Sequence, residues 1–223
     1  TEIYTLSLHD ALPIWIFSFL GTLQYDFFTA QLDEDRPVPD SRLSGMRLAV
    51  RPSVFLEIGL SRAMHWGGEG KDNGFDASWD ALVAKSDDFA QGGGVLQNNL
   101  AGFDIEVTLP FRAQPLQVYF EMVGEDQQEG EVVPVPIPEK WGYLGGVFLP
   151  AILGNAAFDL RVEYAFNHRG NYGTWWYTHP TYPHDYEGRV LGHPMGTDAR
   201  DIFVEGHWFF LPTTYLEFLW NST

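Results

Sequence analysis

The chain has 223 residues, a formal net charge of −17 and no cysteine. So acidic a chain lacks the basic surface that nucleic acids need, which excludes them as partners, and it forms no disulfides. Its longest apolar runs stay below 18 residues, which excludes a transmembrane helix but not a barrel, whose strands need only half of their residues apolar. Much of the acidity falls in predicted loops, such as Asp87-Asp88 and Glu125-Asp126, and is typical of solvated loop acids.

The first 14 residues differ from the rest of the chain. They contain Glu2 and Asp10 but no lysine or arginine, so they make a poor secretory signal. The string TLSLHDALPI also resembles a translated sequencing adaptor. We predict that residues 1–14 are a non-native or disordered leader and that residues 15–223 hold the fold.

Strand-like segments with alternating apolar and polar residues follow one another along the chain. Nine are predicted, at 15–26, 43–50, 53–65, 99–110, 115–126, 141–153, 156–167, 201–210 and 213–220. Tight turns are expected at Arg51-Pro52, Phe111 to Gln114, Gly154-Asn155 and Leu211-Pro212. These turns alternate with long loops, as in an antiparallel up-and-down β-barrel, where one rim carries the short turns and the other the long loops.

The alternation within each segment separates two faces. In 101–110, Phe103, Ile105 and Val107 share one face, and Asp104 and Glu106 share the other. A soluble β-sandwich gives the same alternation and stays an alternative. Aromatic residues make up 16% of the chain and gather near predicted strand ends, which favours a transmembrane barrel with aromatic belts. We therefore predict an all-β, antiparallel, partial transmembrane barrel of about nine to ten strands.

The polar face of such a barrel would enclose a lumen. The residues predicted to line it are Glu57, Glu106, Glu121, Asp159, Arg161, Glu163 and Glu205. Mixed charges of this kind set selectivity in a pore, or they pair across strands and close a non-conducting barrel.

Two of the long loops carry recognisable patterns. In 66–98, Phe75, Trp79 and Leu82 recur at helical spacing, which predicts a short amphipathic helix that packs on the barrel wall or plugs the lumen. Loop 168–200 interleaves tyrosines and tryptophans with arginine, asparagine and aspartate. Aromatic faces beside planar hydrogen-bonding groups suit sugars, although the same aromatics could serve loop packing. Its histidines, at 168, 179, 184 and 193, match no standard metal spacing, so no metal site is predicted.

Four stretches resemble the capsule assembly protein Wzi family: RPSVFLEIGLSRAMHWGGEG, NNLAGFDIEVTLPF, PLQVYFEMVGED and THPTYPHDYEGRVLGHPMGTDARDIFVEGHWFF. The resemblance covers most of 43–220 in collinear order. It implies an outer-membrane β-barrel of Gram-negative bacteria, of which this chain is a carboxy-terminal portion. The best understood members act as surface lectins that tether capsular polysaccharide to the cell.

The residues and the resemblance together predict a non-catalytic surface lectin that attaches capsular or other extracellular polysaccharide, with outer-membrane lipid as its second partner. We assign the contact to stacking platforms and polar groups in loop 168–200, namely Trp175, Trp176, Tyr177, Arg169, Asp185 and Arg189. No cofactor is predicted, although a divalent cation bridging to an acidic polysaccharide stays open.

Two other functions compete with this assignment. A porin or sugar transport channel is the alternative that the charged inner face suggests. A glycosidase is the weaker one, because carboxylate pairs such as Asp104 and Glu106 occur on any polar strand face. We predict that the protein is not an enzyme.

Overall fold

Ten strands of the chain form one antiparallel sheet, whose order follows the sequence. The computed structural model describes residues 3–8, 19–82, 97–127, 138–167, 176–211 and 213–223. The strands of the sheet are β1 (Ile3–Leu8), β2 (Thr22–Gln31), β3 (Arg42–Ser53), β4 (Leu56–Trp66), β5 (Gln97–Leu109), β6 (Leu116–Gln127), β7 (Pro138–Leu149), β8 (Phe158–Asn167), β11 (Arg200–Leu211) and β12 (Thr214–Ser222). A two-residue pair, β9 (Asp185–Tyr186) and β10 (Arg189–Val190), forms a separate hairpin in the connection between β8 and β11.

The predicted meander of alternating strands is confirmed, with two local corrections. The first predicted strand, 15–26, is observed from Thr22 to Gln31, after Gly21, whose φ of +67° turns the chain beside Arg51. The turn predicted at Arg51-Pro52 is wrong by three residues and is observed at Val54-Phe55. Strand β3 continues through Pro52 to Ser53, where its register with β4 shifts, as expected of a proline accommodated at a bulge.

Part of the segment predicted to be a leader lies in the sheet. Residues 3–8 form β1, which pairs with β2 from Ile3 opposite Ala30 to Leu8 opposite Tyr25. Residues 9–18 lie outside the described part of the chain. The non-native origin of residues 1–14 stays a prediction.

The two faces of the sheet differ as the alternation predicts. One face, the outer face, presents exposed apolar side chains on successive strands: Leu48, Ile58, Leu60, Val118, Phe120, Val147, Val162, Tyr164, Ile202, Phe218 and Trp220. The opposite face, the inner face, carries the seven residues predicted to line a lumen, with Glu57 opposite Glu106 and Arg161 opposite Glu205 in the strand register. A protein surrounded by water buries its apolar side chains and exposes its charged ones. Here the apolar side chains are the exposed ones, so the outer face is suited to hydrocarbon.

The predicted amphipathic helix is confirmed as α1, from Phe75 to Leu82. The helix was predicted to pack on the barrel wall or to plug the lumen, and the structure shows it on the wall. Ala81 packs against Met64 and Trp66 near the end of β4. Phe75 and Trp79 point away from this contact and are 80% and 53% exposed. Among the described residues, no helix is both long enough and apolar enough to cross a membrane.

Glycines on the inner face make room for its large side chains. Gly146 lies opposite Tyr119, whose hydroxyl donates a hydrogen bond to Glu163. A Cβ atom at 146 would come well under 3.0 Å from the Tyr119 ring. The neighbouring Gly145 faces the other side of the sheet, where the nearest atoms to such a Cβ lie at 3.9 Å.

These neighbouring glycines give a matched test of the inner-face packing. We expect Gly146→Ala to destabilise the protein by about 1–3 kcal/mol, because Tyr119 must leave its place beside Glu163. Gly145→Ala should stay within about 0.5 kcal/mol of the wild type. Urea unfolding in detergent micelles, followed by tryptophan fluorescence, measures both. Equal stabilities of the two variants would contradict the assignment of the faces.

Candidate functional site

The connection between β8 and β11 folds over the end of the inner face. Its described part, residues 176–199, is here called the cap. Hydrogen bonds within the cap keep it compact: the His184 amide donates to the Tyr177 carbonyl at 2.9 Å, and the Leu191 amide donates to the His184 carbonyl at 2.7 Å. The β9–β10 hairpin turns at Glu187-Gly188, both with positive φ. The cap is therefore a folded unit that projects a short hairpin.

A buried ion pair holds the first residues of the cap. Lys140 Nζ lies 3.2 Å from Glu125 Oε2, and both side chains are only 1% exposed. The backbone N–H of Tyr177 donates to both carboxylate oxygens of Glu125, at 3.0 and 3.1 Å. A buried carboxylate needs several hydrogen-bond partners to compensate its lost hydration. The strands supply Glu125 and Lys140, and the cap supplies the Tyr177 amide as a further partner of the carboxylate. Glu125 is therefore not the solvated loop acid that the sequence suggested.

Amide side chains hold the cap at two further points. Asn98 Nδ2 donates to the Tyr182 carbonyl and lies within hydrogen-bond distance of His184 Nδ1, both at 2.9 Å. Asn167 bonds the other end of the cap, donating to the Gly196 carbonyl at 2.7 Å and accepting from the Ala199 amide at 2.9 Å. Strands β5 and β8 thus fix the middle and the end of the cap.

A neighbouring loop supports the hairpin from outside. The guanidinium of Arg36 lies 4.6 Å from the centre of the Tyr186 ring, and the Tyr186 hydroxyl donates to the Asp35 carbonyl at 2.9 Å. Stacking of a guanidinium on a tyrosine adds attraction at a partly exposed site. The hairpin, which is part of the cap, is therefore also held by the loop that joins β2 to β3.

Two buried tyrosines of the cap act as neutral hydrogen-bonding groups. Burial raises the pKa of Tyr177, although the His193 amide, which donates to its hydroxyl oxygen at 3.2 Å, opposes the shift. Burial likewise raises the pKa of Tyr182, whose hydroxyl donates to the Gly67 carbonyl at 2.9 Å. Both phenols therefore stay protonated at neutral pH and fasten the cap without adding charge.

Beneath the cap lies a chamber of about 630 Å³ on the inner face. Its walls are mostly small or apolar, and its polar groups include Arg47, Glu121 and Asn167. Trp176, Tyr177 and His193 of the cap border it. A space of this size can take a ligand as large as a sugar residue or several waters.

The structure divides the six residues predicted to contact polysaccharide. Trp176 and Tyr177 are adjacent and buried, 1% and 6% exposed, in a cluster with Leu100. Asp185 is half-buried and Arg189 is exposed, and both belong to the hairpin. Trp175 and Arg169 lie outside the described residues. The assignment of all six to polysaccharide stays a prediction.

Charged residues elsewhere on the inner face pair with one another. Arg47 bonds Glu57 at 2.7 Å and Asp104 at 2.5 Å, and Arg51 bonds Glu57 as well. Arg161 lies 3.6 Å from Glu205. Cross-strand ion pairs of the predicted kind are thus present on this face, and its use as a pore stays a prediction.

Sequence reasoning missed the polar residues that hold the cap and one further group. Glu205, His207 and Glu217 offer ligand atoms that all lie within 4.8 Å of one another, an arrangement that could hold a metal ion. The spacing Glu-x-His places the first two on one strand face, but only the β11–β12 register brings Glu217 opposite His207. Of the histidines considered from sequence, His179, His184 and His193 instead take part in hydrogen bonds of the cap, and His168 lies outside the described residues.

Comparisons with known proteins agree on one family. The family model described as "Capsule assembly protein Wzi" matches residues 1–223. A Klebsiella pneumoniae protein, described as an uncharacterized 55.8 kDa protein in the cps region, is 33% identical over 137 residues, which cover 60% of this chain and 25% of that protein. The solved structure of Escherichia coli Wzi superposes with a TM-score of 0.65 at 26% identity, covering 91% of this chain and 43% of that one. That protein is described as an outer-membrane, carbohydrate-binding β-barrel involved in group 1 capsule assembly. The chain spans less than half the length of either relative.

The buried ion pair can be tested by removing its cation. We expect Lys140→Met to destabilise the protein by about 3–5 kcal/mol, because it removes the cation that lies 3.2 Å from the buried Glu125 carboxylate. The cap should then detach, and chymotrypsin should cleave faster after Trp176, Tyr177 or Tyr182, as mass spectrometry of the fragments would show.

The matched control is Lys71→Met, because Lys71 is exposed. This variant should keep the wild-type cleavage rate and stability. The double variant Glu125→Gln with Lys140→Met should recover much of the loss, since a neutral amide still accepts from the Tyr177 amide. Unchanged cleavage in Lys140→Met would show that the pair does not hold the cap.

Proposed function

We propose that this chain, which belongs to the capsule assembly protein Wzi family, is part of an outer-membrane β-barrel that binds capsular or other extracellular polysaccharide and holds it at the cell surface. The observation that carries the proposal is the anchored cap. It presents a fixed surface that includes the exposed Arg189 at the long-loop rim of a sheet that is similar to a carbohydrate-binding barrel. Polysaccharide repeats would engage many such surfaces at once, so retention comes from many weak contacts.

The exposed apolar outer face supports membrane lipid as the second partner. Its side chains form a continuous row across β3 to β12, which in water would be an aggregation liability. Helix α1 adds Phe75 and Trp79 at the long-loop end of the same face, and aromatic rings of this kind suit the boundary between lipid and water.

The β9–β10 hairpin is the part of the cap that we propose meets the polysaccharide first. Arg189 is exposed on it, and Asp185 lies on the paired strand. We include Trp175 and Arg169 because they belong to the same loop. Trp176 and Tyr177 border the chamber, so a sugar residue would have to enter the chamber to stack on them.

Charge sets a condition on this binding. The chain carries a net charge of −17, so it repels an acidic polysaccharide at long range. Local arginines such as Arg189 offset this repulsion, or a divalent cation bridges the two polyanions. Added salt weakens the arginine contacts by screening, whereas a chelator acts on a cation bridge alone.

A transport channel is the alternative that the inner face suggested. The cap lies across the long-loop end of that face and is tied to three of its strands through Asn98, Glu125 and Asn167. This arrangement supports a non-conducting barrel.

The inner-face carboxylates also support a non-catalytic protein. Asp104 is engaged by Arg47, and Glu163 accepts a hydrogen bond from Tyr119. A glycosidase acid needs to stay free to exchange its proton with a substrate, and paired carboxylates of this kind are held for structure instead.

The hairpin assignment predicts a specific loss of binding. We expect Arg189→Ala to lower affinity for purified group 1 capsular polysaccharide about tenfold, because a charge-assisted hydrogen bond contributes about 1.5–3 kcal/mol. Asp185→Ala should weaken binding to a smaller extent. Biolayer interferometry on the detergent-solubilised protein, with and without EDTA, measures both effects and the part played by a cation.

The control is Arg112→Ala, which removes the same charge from the short-turn connection between β5 and β6, at the opposite rim. It should leave affinity unchanged. If both arginine variants lose affinity equally, net charge rather than the hairpin governs binding.

The cap also predicts electrical behaviour. In planar bilayers the full-length protein should show no sustained open-channel current, and replacement of residues 176–199 by a short glycine-serine linker should produce one. Large, stable conductance with the cap intact would favour the channel instead.

A further inference from the structure

A histidine and several carboxylates converge on the inner face beside the short turn between β11 and β12. His207 lies directly opposite Asp159 on β8 and Glu217 on β12, and Glu205 precedes it by two residues on the same face. Three neighbouring strands therefore contribute side chains to one place. This group lies on the part of the sheet near the short-turn rim, away from the cap.

The hydrogen bond from the histidine sets which of its nitrogens can bind a ligand. His207 Nδ1 lies 2.8 Å from Asp159 Oδ1, and a carboxylate can only accept, so Nδ1 carries the proton. Nε2 is then the nitrogen that faces the other carboxylates, with Glu217 Oε1 at 3.8 Å. A histidine whose second nitrogen is held by a carboxylate is the usual arrangement of a metal ligand in proteins.

The distances within the group suit an ion better than direct hydrogen bonds. The 3.8 Å between Nε2 and Glu217 exceeds the 2.7–3.2 Å range of a hydrogen bond. Two ligand atoms at about 2.0–2.2 Å from one ion are separated by at most about 4.3 Å. The three ligand atoms lie within 4.8 Å of one another, close to this limit, and the exposed Glu217 side chain has room to turn toward a shared ion.

The charges around His207 also favour a cation. Asp159, Glu205 and Glu217 are three carboxylates, whereas the neighbouring permanent cation, Arg161, is shared between Glu205 at 3.6 Å and Glu163 at 3.9 Å. Both of those contacts are longer than hydrogen bonds. A bound divalent ion would offset the excess of negative charge on a half-buried face.

We propose that Glu205, His207 and Glu217 form a binding site for a divalent transition-metal ion of the Zn²⁺ or Mn²⁺ type, with Asp159 as the positioning residue for His207. One imidazole and two carboxylates are suitable ligands for such ions, whereas Ca²⁺ and Mg²⁺ prefer oxygen alone. The ion would tie β11 to β12 across the inner face. This proposal is independent of polysaccharide binding.

The direct test is isothermal titration of the full chain in detergent micelles, after EDTA treatment and desalting, with ZnCl₂, MnCl₂ and MgCl₂. We expect one site, with affinity falling in the order Zn²⁺, Mn²⁺, Mg²⁺. Asp159→Asn should weaken Zn²⁺ binding about 10- to 100-fold, and His207→Gln or Glu217→Gln should weaken it at least as much. The midpoint of thermal unfolding should rise with Zn²⁺ in the wild type but not in His207→Gln or Glu217→Gln.

The matched control is Glu106→Gln, which neutralises another inner-face carboxylate in the row opposite Glu57 and Tyr119. It should bind Zn²⁺ like the wild type. The Glu217 side chain is exposed, so Glu217→Gln is expected to fold even if a change at His207 does not. Absence of Zn²⁺ binding at micromolar concentration would overturn the proposal and show a histidine held by carboxylates alone. Zn²⁺ binding that His207→Gln and Glu217→Gln leave unchanged would also overturn it and show an adventitious ion only.

Discussion

The pairing of Glu125 with Lys140 constrains both the sheet and the cap. The two residues are direct partners across β6 and β7, so the ion pair forms only when these strands are in their observed register. Neither charge reaches water, and the carboxylate is completed by the backbone amide of Tyr177. Closing the cap and fixing the sheet are therefore parts of one arrangement, because an unpaired charge at this depth would destabilise both.

The same alternation of side chains serves two different environments. On the outer face, apolar groups such as Leu60 and Phe218 are exposed because hydrocarbon, not water, is the medium that suits them. On the inner face, charges meet in pairs such as Arg47 with Asp104, and glycines such as Gly146 leave space for the larger partners. The same strands therefore present an apolar face outward and a face of paired charges inward.

The strands and their faces follow from the sequence because period-two alternation is a local property. The exact turn at Val54-Phe55 does not, since Pro52 usually ends a strand and here is absorbed by a register shift. The cap is harder still. Trp176 and Tyr177 look alike whether they face a sugar or a protein interior, and only contacts with residues far along the chain, such as Glu125, decide their burial. His207 and Glu217 likewise become neighbours only through strand register.

The turn of the β9–β10 hairpin lies apart from the contacts that hold the cap and from the contacts of Tyr186. Its turn, Glu187-Gly188, is exposed, and both residues have positive φ, so its conformation is local. Residues there can change without touching Asn98, Glu125 or Asn167. This separation makes the turn a practical graft point for displaying a foreign peptide on a bacterial surface.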